Sequence, residues 1–140
     1  MTTKKILALT LAVATVIALK ARADDPAAAL ALPEAVFSAQ IPVYPGASLE
    51  SSMGGTSSDE LFGPPTAESL SWFFDVEDSA EQVVAFYAGK LTNATRMSED
   101  AETTFEFVPA GAEAGESVTV TVGQGRLQIT EVVKPGKRTS

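Results

Sequence analysis

A chain of 140 residues has room for one domain with a modest core and too little for two independent ones. Its formal charge is −8, and removing residues 1–23, which hold Lys4, Lys5, Lys20 and Arg22 but no acid, leaves 6 basic against 18 acidic residues; that balance argues against nucleic acid and anionic membrane surfaces, since only Lys134, Lys137 and Arg138 cluster. No cysteine or histidine occurs, which excludes disulfides, thiolate nucleophiles, imidazole bases and the usual zinc, copper and haem ligands.

Residues 1–23 read as a secretory signal peptide. Lys4 and Lys5 supply the charged start, residues 6–19 an apolar run, and Ala21-Arg22-Ala23 the small-residue site, with cleavage expected before Asp24. The apolar run is shorter than the roughly 20 residues that cross a bilayer, so no stable membrane span is expected after cleavage. Lys20 and Arg22 are unusual behind such a run, and the alternative is an uncleaved segment that tethers the domain to the inner membrane. No cysteine follows the run, so a lipidated anchor is excluded. The expected location is the periplasm or the exterior, where small domains without bridges occur.

Residues 24–40, rich in alanine and broken by Pro26 and Pro33, read as a spacer with a short helix near its end and no core of its own. Ile41 opens the expected domain, 41–133. Pro42 and Pro45 hold the chain extended, and Pro45-Gly46 suits the centre of a type II turn. A strand is expected over 47–53, then a long mobile loop over 53–65, which contains Gly54, Gly55, Gly63, Pro64 and Pro65. In residues 69–76, Leu70, Trp72, Phe74 and Val76 alternate with Ser69, Ser71, Phe73 and Asp75, the pattern of a half-buried strand in which Phe73 breaks the polar face.

Asp78 and Glu81 have the spacing of a capping box. They open a predicted helix to about Leu91 with Ala80, Val83, Val84, Tyr87, Ala88 and Leu91 on one stripe, Phe86 at its flank, and Asn93 closing it in a left-handed conformation. Strands are expected at about 94–98, 103–108, 116–122 and 126–133. The last two form a hairpin through Gly123-Gln124-Gly125, and residues 134–140 form a polar tail. The predicted fold is α+β in the order β-β-α-β-β-β-β: an antiparallel sheet of about five to six strands covered on one face by a single main helix.

The segment Tyr44-Pro45-Gly46-Ala47 and the helix motif Val83-Val84-Ala85-Phe86-Tyr87 together resemble small exported bacterial proteins of uncharacterised function that carry a Tyr-Pro-Gly-Ala segment and a Val-x-x-Phe-Tyr helix. The resemblance covers roughly 41–133. It implies the fold and an envelope location, and it brings no catalytic residue set.

No catalytic, cofactor-binding or metal-binding residue is expected. Asp75, Glu77 and Asp78, and again Glu99, Asp100 and Glu102, group carboxylates, but neither group has the spacing of a calcium loop, and both read as solvated charge. Serine hydrolysis lacks a base and a Gly-x-Ser-x-Gly or Ser-x-x-Lys motif. Gly123-Gln124-Gly125 lies between strands and reads as a turn rather than a phosphate loop. Trp72, Phe74, Tyr87 and one of Phe105 and Phe107 read as core. Phe73 and Tyr44 are the candidate partner-contact residues, with a second possibility that the Tyr44 segment covers Phe73. The expected function is a non-enzymatic exported binding or accessory domain contacting another envelope protein through its open sheet face or long loop. The alternatives are a carrier of a small apolar ligand between helix and sheet, and a carboxylate-based hydrolase.

Overall fold

The computed structural model describes residues 32–138. The signal segment, the first part of the expected spacer and residues 139 and 140 lie outside the described residues. Six strands, β1 (Ser48–Ser57), β2 (Ala67–Asp75), β3 (Thr95–Glu99), β4 (Glu102–Phe107), β5 (Ser117–Gly123) and β6 (Arg126–Val133), and one helix, α1 (Ala80–Lys90), follow one another as β-β-α-β-β-β-β. The sheet order is β1-β2-β6-β5-β4-β3 and every neighbouring pair is antiparallel. The predicted α+β class is therefore the observed one.

Register sorts the side chains into two faces, because residues opposite one another across antiparallel strands share a side. One row runs Ser52, Trp72, Ile129, Val120, Phe105, Arg96, and a second runs Leu49, Phe74, Leu127, Val122, Thr103, Ser98. The apolar members of the four inner strands in these rows are buried and form the core. Helix α1 packs against β5 and buries Val83 and Tyr87. Its apolar stripe is narrower than expected, since Ala88 is exposed. Eleven residues of helix cannot cover a six-stranded sheet.

The rest of the core is covered by a strap, residues 32–43. Leu32, Phe37, Ile41 and Val43 are all buried in the core, and the Trp72 indole donates to the Pro33 carbonyl at 3.1 Å. Residues 32–40 thus belong to the packed unit, although the proline-interrupted stretch around them reads as a spacer. Their apolar residues carry no helical or strand period because the strap is an irregular chain with one 3-10 turn, Ser38–Gln40, and burial there follows the shape of the sheet beneath it. The tail also folds back. The Gly136 amide donates to Glu68 and Arg138 to the Glu34 carbonyl.

Two buried carboxylates fasten strap and tail. Glu131 lies between Leu70 and Val118 in a core row and is 0% exposed. It accepts from the amides of Val36 at 3.0 Å and Phe37 at 2.8 Å, and from the Arg138 guanidinium. Glu116 accepts from the amides of Glu113 at 2.7 Å and Lys134 at 2.8 Å and from the Lys137 ammonium at 2.6 Å. Burial alone would push the Glu116 carboxyl up, but these donors outweigh it and hold it down at about 2.

Several boundaries differ from the sequence expectation. β1 continues through Gly54 and Gly55 to Ser57, so the connection to β2 is shorter than the predicted loop. An edge strand exposed on both faces has no burial alternation to announce it. The capping box is Ser79 with Gln82 rather than Asp78 with Glu81: the Ser79 hydroxyl accepts from the Gln82 amide, and the Gln82 side chain accepts from the Ser79 amide. Asp78 is engaged elsewhere, as acceptor for the Tyr44 hydroxyl. Asn93 is not left-handed; the helix closes with the Leu91 amide donating to Tyr87. Because Gly123 pairs with Arg126, the last hairpin turns on Gln124 and Gly125 alone, with Gly125 at φ +72°.

Candidate functional site

The two candidate contact residues lie on opposite sides of the sheet. Tyr44 belongs to the helix side. Its ring meets Phe86 edge-on at 5.2 Å between centroids. Its amide donates to the Tyr87 hydroxyl, which in turn donates to the Pro42 carbonyl, both at 3.0 Å. The turn that follows is the type II turn expected at Pro45-Gly46: the Ala47 amide returns to the Tyr44 carbonyl at 3.1 Å, and Gly46 takes φ +91°, a conformation glycine adopts without steric cost. The Tyr-Pro-Gly-Ala segment and the Phe-Tyr pair of the helix are therefore one packing unit. Burial and the Asp78 hydrogen bond and charge push the Tyr44 hydroxyl up to about 12, and burial pushes Tyr87 up as well.

Phe73 lies on the other face, as the alternation predicts. Its row is Ser51, Phe73, Gln128, Thr121, Thr104, Met97, and the neighbouring row is Met53, Ser71, Thr130, Thr119, Glu106, Thr95. Hydroxyls and amides dominate both rows and bond across strands: Ser71 with Thr130 at 2.8 Å, Gln128 with Thr130 at 3.2 Å, Thr104 with Thr121 at 3.4 Å. Strap, helix and tail all pack on the opposite side, so among the described residues no element covers this face. Tyr44 does not cover Phe73. The ring is half-buried in its row and lines a hollow of about 350 Å³ with Glu50, Asp75, Thr121, Arg126 and Gln128.

Trp72, Tyr87 and Phe105 are core, and Phe107 faces the same side, partly buried; Tyr87 of the helix meets Phe105 at 6.2 Å between ring centroids, while Trp72 lies under the strap. Among the described residues, neither acidic group gathers into a set that would hold a metal ion. Glu102 instead lies 3.5 Å from Arg126 in an exposed ion pair, worth little in water. Sequence reasoning missed Leu61 and Phe62, which project almost fully exposed from the β1–β2 connection. Their signal was available, an apolar pair inside a turn-rich run. It also missed Glu116 and Glu131, although both fall in the inward phase of their alternation, Glu116 just before Val118, Val120 and Val122 and Glu131 between Ile129 and Val133.

Comparison with protein-family models, curated proteins and solved structures gave no match to this chain.

Proposed function

We propose that this chain is an exported, non-enzymatic binding or accessory domain that contacts another envelope protein through the open sheet face around Phe73. The observation that carries the reading is the position of Phe73. It is an aromatic ring set in a plane of serine, threonine and glutamine, with every covering element packed on the other side. A large apolar side chain left against water forgoes part of the ~1.5–3 kcal/mol that full burial contributes, and aromatic residues ringed by polar ones are characteristic of protein contact surfaces. The acidic balance of the chain fits a protein partner and disfavours nucleic acid. Export rests on the charged start, short apolar run and Ala-x-Ala ending of residues 1–23.

A photo-crosslinking amino acid placed at position 73 in the exporting cell tests the reading. One discrete protein adduct is expected from position 73 and none from position 85, on the exposed side of the helix. Phe73→Ser is expected to abolish capture of that partner while moving stability by no more than ~1.5 kcal/mol, since the ring is only half-buried. A loss as large as that of Trp72→Ser would make Phe73 an ordinary packing residue and remove the basis of the proposal.

A further inference from the structure

The two edges of the sheet are unlike. β3, at one edge, has five residues, among them Arg96 and Glu99, and short charged strands are how natural sheets discourage pairing with other chains. β1, at the other edge, has ten residues, all exposed, with neither lysine nor proline. Its one irregularity is a bulge at Glu50, which leaves residues 51–57 in regular register with β2 and, among the described residues, their outward amides and carbonyls without a strand to pair with.

Gly54 and Gly55 sharpen the contrast. Neither has a positive φ, and a Cβ built at either would meet nothing closer than 3.6 Å. The fold therefore does not require glycine there. What glycine provides is close approach by another backbone. Beside the strand, on the helix side, Ser52, Gly54 and Thr56 form one wall of a groove of about 360 Å³, and Glu34 of the strap and Arg138 of the tail contribute to it. A chain paired with β1 would direct every second side chain toward that groove.

We propose that β1 is a strand-addition site, at which an extended lysine- or arginine-bearing segment of a second protein pairs with residues 51–57 as a seventh strand. Charge selects this occupant. Residues 32–138 hold 16 acidic against 6 basic residues; Glu50 lies in the strand, Asp59 and Glu60 just beyond it, and Arg138, the cation at the groove, is already paired with Glu131. Such a surface attracts a cationic segment and repels a second copy of itself. The inference rests on the binding-domain reading but uses the strand edge instead of the Phe73 face.

The test is amide hydrogen exchange on the whole exported chain with a nine-residue peptide that alternates valine with lysine, and with its glutamate counterpart. The lysine peptide is expected to protect alternate amides within residues 51–57. Gly54→Val, which narrows the groove, and Thr56→Lys, which adds charge at the edge, should each weaken binding by about tenfold or more. Met97→Lys on the opposite edge should not change it. Phe73→Ser should also leave peptide binding intact. If position 73 loses its partner while the lysine peptide protects nothing, strand addition is wrong and the open-face reading stands. Equal protection by the glutamate peptide, or protection of β1 that rises with concentration of the protein alone, would overturn the proposal, the latter in favour of a second copy.

Discussion

Replacing Glu131 by glutamine removes one charge and changes almost no volume, yet it should be among the most damaging single substitutions in the domain. The carboxylate accepts from the amides of Val36 and Phe37 and from Arg138 at a site closed to water. A glutamine side chain keeps one acceptor and turns an NH2 group toward a donor, so at least one strap amide goes unpaired and the guanidinium loses its counter-charge. Removing one member of a buried ion pair costs about 3–5 kcal/mol, and an orphaned buried amide about 1–3 kcal/mol. The two overlap, so ~3–5 kcal/mol is the expected loss, a large part of the 5–15 kcal/mol typical of a domain. A melting temperature lower by roughly 12 °C or more follows.

The protein reports this directly. Its one tryptophan, Trp72, is fully buried and bonded to the strap at Pro33. In a urea titration of Glu131→Gln, Trp72 emission should shift to the red before the sheet signal in circular dichroism is lost, because the strap leaves first. Glu131→Gln combined with Arg138→Met, which also removes the stranded guanidinium, should recover the part of the loss owed to the unpaired charge and leave the part owed to the orphaned strap amide. A loss below about 1 kcal/mol in Glu131→Gln, with Trp72 emission unchanged, would show that apolar packing alone holds the strap.

Further expectations test the faces, the acid response and export. Val120→Asp buries a carboxylate in a core row with no partner and should unfold the domain, whereas Thr119→Asp, on the open face, should cost far less; equal losses in thermal melts would invalidate the assignment of faces. The Glu116 carboxyl is held at about 2 against an ordinary 4.5, so its contribution is complete above pH 4.5 and is lost as pH falls toward 2. Glu116→Gln should therefore flatten the acid limb of a stability profile between those values; an acid limb identical to that of the parent would refute the role given to this carboxylate. Intact mass of the exported protein should begin at Asp24, and a chain beginning at Met1 would support the tethered form.

What the sequence made legible was whatever repeats. The alternation of Leu70, Trp72, Phe74 and Val76, and of Val118, Val120 and Val122, specifies which face is buried, and with the stripe of α1 it leads to the observed class. Phe73 was legible for the same reason, as an exception to a period. The strap was not, because Leu32, Phe37, Ile41 and Val43 are spaced by the contour of the sheet and by no helical or strand repeat. β1 runs past its expected end because an edge strand rich in serine and glycine, exposed along its whole length, carries no alternation. The inward phase of Glu131 was legible in its strand, but what satisfies it was not, since the amides of Val36 and Phe37 lie up to 95 residues away in the chain. The capping box shifted by one residue because Asp78 answers to Tyr44, a contact that local sequence does not contain.

The junction of β2 with β6 divides the sheet into a hairpin and a four-stranded meander, and it has a kinetic consequence. Within each part, strands adjacent in sequence are adjacent in space, so their turns close short loops. The junction instead joins Asp75 to Arg126 and Glu68 to Val133, across the helix and three strands, and loop closure of that length is slow to be rewarded by contacts. The meander can assemble as soon as β6 exists, while the hairpin must wait for it as a template. Until then Trp72 and Phe74 face water. A chain threaded unfolded across a membrane, N-terminus first, would thus hold its largest apolar residues uncovered until nearly all of it has crossed, and delayed docking of the hairpin would be its slowest and most aggregation-exposed step.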